Sequence, residues 1–147
     1  MTLRTVAHDA EQALLAALRV NAIFTPTVLD GPVTDATASQ QVAYVDTVEF
    51  DESWRGATRP AKRNDDFTIN LVILVRQPGT PAQIKTATWV CVRAVEDTVM
   101  ADWTLGGVLN QCAEVAGGVV TTYPATIEGL WEGRADLRIV CQHVLSE

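Results

Sequence analysis

Three cysteines and two histidines are the side chains of this sequence best suited to metal binding. Cys141 and His143 are alternate residues of a strand-like run, so both would point to one side, where Cys91 or Cys112 could join them. Structural zinc sites usually contain closely spaced cysteine pairs, and this sequence has none. We therefore predict no metal site and no cofactor, and we expect three free thiols among apolar neighbours.

Carboxylates and serines, which carry out hydrolytic chemistry in many enzymes, are poorly arranged for it here. The carboxylate pairs Asp51-Glu52, Asp65-Asp66 and Glu96-Asp97 are sequence neighbours, which point apart on strands and helices and are typical of a solvated surface. None of the three serines lies in a nucleophile-elbow context. Neither Gly106-Gly107 nor Gly117-Gly118 has the spacing or the lysine of a phosphate-binding loop. The sequence therefore predicts a protein that is not an enzyme.

The most distinctive segment is a basic, tryptophan-containing block between two strand-like runs. It holds four of the eleven Lys and Arg residues, whereas the rest of the chain carries seven, together with all eighteen Asp and Glu. Tryptophan and arginine often dominate contact energy at protein interfaces, so we predict a loop over residues 51–64 that docks on a partner. Its docking residues would be Trp54, Arg55, Arg59, Lys62 and Arg63. Two alternatives are a merely solvated loop and contact with single-stranded nucleic acid.

Length and composition limit the class of protein. The 147 residues predict one domain, 1–147, and 48% hydrophobic with 20% charged residues is typical of an ordered globular chain. A net charge of −7 argues against a nucleic-acid-binding platform. No apolar run reaches the roughly 18 residues of a membrane span, and polar residues such as His8 and Asp9 interrupt any signal peptide. We expect a protein made in the cytoplasm, without membrane contact.

Hydrophobic periodicity predicts two helices, over residues 3–20 and 81–103. Thr80, Pro81 and Gln83 form a helix start with a capping box. The second helix is apolar on two sides, one of which contains Ile84, Cys91 and Val95, and the other Trp89, Val92, Val99 and Trp103. A helix of this kind packs on a sheet and touches something else as well.

One exposed surface of the second helix is a candidate subunit interface. Trp89 lies on the same helical side as Arg93 and Glu96, and these three residues are the predicted contact. The alternative is that Trp89 is an ordinary core tryptophan.

Alternating apolar residues predict the strands. A short edge strand is expected over 25–30, followed by a strand over 42–50 with Val42, Tyr44 and Val48 on one face and Val45 and Thr47 on the other. The run 67–75 predicts a central strand. Later strands are expected over 109–123, interrupted by a bulge at Gly117-Gly118, and over 127–131 and 134–144. The order of elements predicts an α+β fold: a mainly antiparallel or mixed sheet with two packed helices and a long polar loop between two central strands.

Three stretches give this layout a family resemblance: the strand DDFTINLVILVRQPG, the helix TATWVCVRAVEDTVMADWTLGG and the closing run YPATIEGLWEGRADLRIVCQHVL. In length, element order and texture, nearly the whole chain resembles the tail terminator proteins of long-tailed bacteriophages, especially those of siphophage type that infect actinobacteria. No diagnostic short motif accompanies the resemblance.

The resemblance implies a structural virion protein. Members of that family form a ring, typically of six subunits, which ends the tail tube at its head-proximal end and joins the tail to the neck of the head. The implied partners are other copies of the chain, the major tail tube protein and a head-neck connector protein, while DNA passes through the ring without specific binding. The family's long loop, which contacts tube or neck, corresponds to residues 51–64. Acidic character suits the wall of a ring around DNA.

Two other functions remain open. The chain could be a different neck component, such as a head-completion or stopper protein, which also forms rings. It could instead be a small α+β enzyme or ligand-binding domain.

Overall fold

The fold is one mixed β-sheet with both helices on the same face. A computed structural model describes residues 4–31, 40–54, 62–125 and 129–146. The elements are, in chain order, α1 (Ala7–Arg19), β1 (Thr27–Val28), β2 (Gln40–Trp54), β3 (Lys62–Gln77), α2 (Pro81–Ala101), β4 (Cys112–Pro124), β5 (Trp131–Gln142) and β6 (Val144–Ser146).

The strands lie in the order β1-β2-β3-β5-β4, with β6 paired to the start of β3. The β1–β2 pair is parallel, and all other pairs are antiparallel. Although β5 follows β4 in the chain, it is inserted between β3 and β4, so β4 is an edge strand. The predicted α+β fold, a mainly antiparallel mixed sheet with two packed helices, is confirmed.

The main core lies between the helices and β3, the central strand. Alternate residues of β3 point to the helices and are almost fully buried: Phe67, Ile69, Leu71, Ile73 and Val75. On the opposite face, Val72 and Leu74 pack with Val42 and Tyr44 in a second, smaller cluster. A strand that is apolar on both faces is typical of the middle of a sheet, as the sequence predicted.

A β-bulge at Asp46 changes which residues of β2 share a face. Val45 pairs with Leu71, but the next rung joins Thr47 to Asn70, so β2 contains one extra residue. Val48 therefore packs against the main core, on the same side as Val45. The expectation that Val48 shares a face with Val42 and Tyr44 was wrong, because strict alternation fails across a bulge.

The predicted loop over 51–64 is also wrong at both ends. β2 continues to Trp54 and β3 begins at Lys62, with Trp54 opposite Arg63 on the outermost rung. Backbone pairing between the two strands overrides the polar composition that suggested a loop. Residues 55–61 lie outside the described part of the chain.

The start of α1 is held by a carboxylate from a distant part of the sequence. Val6, at the N-cap, makes no side-chain capping bond. Instead Asp65 of β3, fully buried, accepts hydrogen bonds from the Val6 N–H at 2.8 Å and the Thr5 hydroxyl at 2.7 Å. Thr5 in turn accepts from the Ala7 N–H. Asp65 is thus a remote cap that satisfies free N–H groups of the helix, and the prediction of a solvated Asp65 was wrong.

The start of α2 follows the prediction. Thr80 accepts from the Gln83 N–H, and the Gln83 side chain accepts from the Thr80 N–H, which completes a capping box with Pro81 at the first helical position. The helix ends at Ala101, two residues earlier than predicted.

α2 packs closely against the sheet at Gly133 of β5. A methyl group at this position would collide with the side chain of Thr88, which is fully buried, and would press on Ile84. Glycine at 133 therefore sets how closely α2 approaches β5.

The last strands differ from the prediction mainly in their limits. β4 begins at Cys112 because residues 102–109 form a turn in which Leu105 and Leu109 are buried. The register shifts between Val115 and Gly117, which confirms the bulge expected at the glycine pair. Where two runs were predicted, β5 is continuous from Trp131 to Gln142, and residues 126–128 lie outside the described part.

Candidate partner interface

The cysteines that could have bound a metal are free thiols, and two of them are buried. Cys91 and Cys141 are buried, Cys112 is half-buried, and all three are free thiols, as predicted. Burial raises the pKa of Cys91, and burial followed by the nearby Cys112 raises that of Cys141 to about 12, so both remain protonated at neutral pH. No group of three or more potential metal-binding side chains occurs among the described residues.

His143 connects two parts of the fold by hydrogen bonds. Its Nδ1 accepts a hydrogen bond from the Asn110 N–H at 3.1 Å, and its carbonyl accepts from the Asp65 N–H at 2.8 Å. Burial lowers the pKa of His143, and the opposing effect of Asp65 is smaller. The neutral imidazole thus links the turn before β4 to the corner where Asp65 caps α1.

A polar cluster on the helix-free face was not predicted from the sequence. Arg76 and Glu132 form an ion pair at 2.7 Å, with each side chain only about a tenth exposed. Burial and the carboxylate of Glu132 raise the pKa of Tyr123 to about 12, so its hydroxyl stays protonated beside that carboxylate. The arrangement links β3, β5 and β4 across three adjacent strands and is structural in character.

The feature best suited to binding a partner is a groove between α2 and the edge strand β4. It consists of two open depressions, of about 580 and 320 Å³, which share Glu96 and Val115 in their linings. One wall is β4 from residue 113 to residue 120, with Leu137 of β5 behind it. The other wall comes from α2 and the turn after it: Trp89, Val92, Glu96, Val99, Met100 and Trp103. We call this feature the α2–β4 groove.

The apolar side chains of the groove are unusually open to solvent. Trp89 is 42% exposed, Trp103 53% and Met100 77%. Val92 and Val99, predicted to share the second apolar side of the helix with both tryptophans, are buried in the core instead. The helix is therefore covered by the sheet on one side, while large apolar groups on its adjacent side meet water. Patches of this kind mark interaction surfaces.

A backbone hydrogen bond joins the turn after α2 to β4 at one end of the groove. The Ala113 N–H donates to the carbonyl of Trp103 at 2.8 Å, which ties the turn after α2 to the edge of β4. In that turn, Asp102 accepts from the Gly106 N–H and the Thr104 hydroxyl. These bonds hold Trp103 in the wall of the groove.

The charged residues in the groove lining are acidic. Glu96 faces it from α2, and no lysine or arginine is among the described lining residues. Glu114 also borders the groove, but its neighbours Ala113 and Val115 face the helices, so its side chain points to the opposite face of the sheet. Lys85 and Arg93 lie beyond Trp89, where they line a separate shallow depression.

Of the predicted subunit contact, Trp89 and Glu96 meet in the groove, and Arg93 is on the far side of Trp89. Met100, Trp103 and β4 were missed, because their proximity depends on the turn that folds β4 against α2.

Three of the predicted docking residues lie where β2 ends and β3 begins. Trp54 pairs with Arg63 on the outermost β2–β3 rung, and Lys62 pairs with Ser146 of β6. Arg55 and Arg59 lie outside the described residues. None of the described helices is long and apolar enough to cross a membrane.

Comparisons of the sequence with known proteins gave no match, whereas comparison with solved structures did. No protein-family model matches the chain, and no curated protein sequence matches it. Among solved structures, it is similar to a chain of a structure titled "Virion of native gene transfer agent (GTA) particle", with 14% sequence identity and a TM-score of 0.45. That match covers 90% of this chain and 93% of the other chain. At this TM-score the similarity carries no argument about fold or role.

Proposed function

We propose that this chain is a structural protein of a bacteriophage virion, of the tail terminator type. In this role it forms a closed ring of six copies at the head-proximal end of the tail, ends the tail tube and joins it to the neck. Its partners are its own copies, the major tail tube protein and a head-neck connector protein. The sequence resemblance supplies the family, the ring and the number of copies.

The observation that carries the proposal is the open α2–β4 groove. Trp89, Met100 and Trp103 expose apolar surface, although the fold already buries most other large apolar side chains of α2. Covering one such side chain contributes about 1.5–3 kcal/mol, so burial between copies would stabilise an assembly considerably. Tryptophan is also among the residues that most often dominate interface energy. Self-association gives this surface a purpose that an isolated domain would lack.

Charge supports the same role. The chain has a net charge of −7, and apart from residues 54–63 its acidic residues greatly outnumber its basic ones. DNA that passes through a ring with acidic walls is repelled weakly and is not retained. The basic residues of the hairpin end, Trp54 beside them, are then available for docking on an acidic protein surface.

Light scattering and electron microscopy of the purified protein at micromolar concentration test the ring. We expect a closed ring with a central hole, and labelled copies at the junction of head and tail in assembled particles. Rings labelled within the neck and away from the tube would favour a head-completion or stopper protein. A monomer that also occurs singly in the particle, or a monomer purified with a bound metabolite, would contradict the proposal.

A further inference from the structure

The α2–β4 groove is open at the edge of the sheet, and its occupant must match both its apolar and its acidic character. Trp89, Met100 and Trp103 offer apolar surface, and Glu96 is the charged side chain that faces the groove. A complementary segment would therefore combine a large aromatic group with cations. Such a segment gains by burial of the aromatic ring and by attraction to the carboxylate of Glu96.

Only one block of this sequence has that composition. Residues 54–63 contain Trp54 and four cations, and no acidic residue. The remainder of the chain carries eighteen acidic residues against seven basic ones, so two copies repel each other over most of their surfaces. A favourable contact between copies is therefore expected to include this block.

The described ends of this block, Trp54 and Arg63, lie away from the groove of their own copy. At the row where Phe50 pairs with Phe67, β3 also pairs with Cys141, and Cys141 pairs with Ala113 beside the groove. The outermost rung, Trp54 opposite Arg63, lies four residues further along the hairpin, which is about 13 Å in a strand.

The distance from β2 to β4 across the sheet is of similar size. β2 is separated from β4 by β3 and β5, three strand spacings of about 4.8 Å each. Pairing of β2 with β3 therefore holds the described ends of the block three strands away from β4. We infer that the groove more readily receives the block of another copy.

We propose that the α2–β4 groove of one copy receives the basic hairpin end, residues 54–63, of a second copy. The block covers the apolar surface of Met100 and Trp103, and its cations are attracted to the carboxylate of Glu96. The two surfaces differ, so the contact is head-to-tail, and repetition of it closes a ring when the rotation between copies permits. This inference rests on the proposed ring and names the surfaces that hold it together.

A charge swap tests the contact directly. R59E/R63E reverses the charge of the block, E96K reverses the charge of the groove, and a third variant combines all three substitutions. We expect each reversal alone to shift the mass in light scattering from the ring to the 15.9 kDa monomer, and the combined variant to restore the ring. Restoration also demonstrates that the reversed chains fold. Added salt should dissociate the unmodified ring.

A matched control keeps the charge change but moves it out of the groove. Asp97 is exposed on α2 next to Glu96 and does not line the groove. D97K should therefore leave the ring intact, whereas E96K weakens it. Equal effects of D97K and E96K would indicate a general response to charge and would overturn the proposed contact.

The remaining outcomes separate this inference from the proposed function. If R59E/R63E still forms rings but no longer joins tails to heads, the block docks on the tube or the neck, and only the inference is wrong. If both reversals give monomers and the combined variant does not recover, the two surfaces do not meet each other. If the unmodified protein forms no ring in solution or in the particle, the proposed function fails, and the inference fails with it.

Discussion

The two helices lie on the same face of one sheet, yet only one of them is fully integrated into the domain. α1 buries its core-facing residues, its start is capped by Asp65, and Arg19 near its end reaches the carbonyl of Val28 and the carboxylate of Asp30. α2 has an equally well-formed start, but Trp89, Met100 and Trp103 remain open to solvent along β4. A sheet covers only one side of a helix, and on the uncovered side of α2 the residues next to β4 are large and apolar.

This difference indicates that the two halves of the domain serve different needs. Around α1, hydrogen bonds between distant residues stabilise the single chain. Along α2, apolar surface stays open to solvent, and in the proposed ring it contacts another copy. Substitutions around α1 and under α2 should therefore change the free energy of unfolding, whereas substitutions in the groove should change association.

The largest expected effect on stability comes from Gly133→Ala, which lifts α2 off the sheet. The added methyl group would overlap the side chain of Thr88, so we expect unfolding to become easier by about 3 kcal/mol, measured by urea denaturation at a fixed protein concentration. Gly31→Ala is the control, since none of the described residues has an atom within 4 Å of a methyl group there. An equal decrease in the free energy of unfolding of the two variants would show that Gly133 does not determine how closely α2 packs on the sheet.

Asp65→Ala should follow, with a loss of about 2 kcal/mol, because it leaves N–H and hydroxyl groups at the start of α1 without an acceptor. Both hydrogen bonds of Asp65 are part-buried, which limits replacement by water. Asp66→Ala removes a neighbouring exposed carboxylate and should change stability little. Amide hydrogen exchange should locate the damage in the first turn of α1, and unchanged protection there would refute the remote cap.

A smaller, pH-dependent effect is expected from His143. Its pKa is lowered in the folded protein, so below about pH 6.5 the unfolded chain binds the proton more readily. This contribution to stability is therefore complete above that pH and decreases as the pH falls through the lowered pKa. His143→Asn keeps an acceptor near the Asn110 N–H and should flatten the dependence of melting temperature on pH between 5 and 7. An unchanged dependence of melting temperature on pH in His143→Asn would contradict this role of the imidazole.

The smallest effect on folding should accompany Met100→Lys in the groove. The side chain is 77% exposed, so the free energy of unfolding of the monomer should change by at most about 0.5 kcal/mol. Oligomer mass in light scattering should nevertheless fall. Val90→Lys makes the same kind of change at an exposed apolar residue of α2 outside the groove lining, and it should leave the oligomer intact. Identical behaviour of the two variants would remove the distinction between groove and general surface.

Local signals were sufficient for much of the fold. Thr80, Pro81 and Gln83 located the start of α2, because a capping box involves residues only three positions apart. Alternation along β5 correctly assigned Leu137 and Ile139 to the dry face. Properties set by a few neighbouring residues could thus be predicted from the sequence.

Non-local properties could not be predicted in this way. The Thr5–Asp65 bond joins residues 60 positions apart, and adjacent carboxylates gave no sign that only one of them is buried. The bulge at Asp46 reversed the faces of Val48 and Thr47 without a glycine or proline to announce it. For the groove, the sequence placed Trp89 and Glu96 on one helical side, but the opposite wall depends on how β4 returns along α2.

The insertion of β5 between β3 and β4 also determines when the groove can exist during protein synthesis. On the ribosome, α2 and β4 emerge before β5, and in the described sheet β4 pairs with no strand other than β5. A nascent chain that ends before Trp131 therefore lacks the strand that connects β4 to the sheet. In the proposed ring, copies still being translated therefore lack a finished groove, and self-association would wait until synthesis has passed β5.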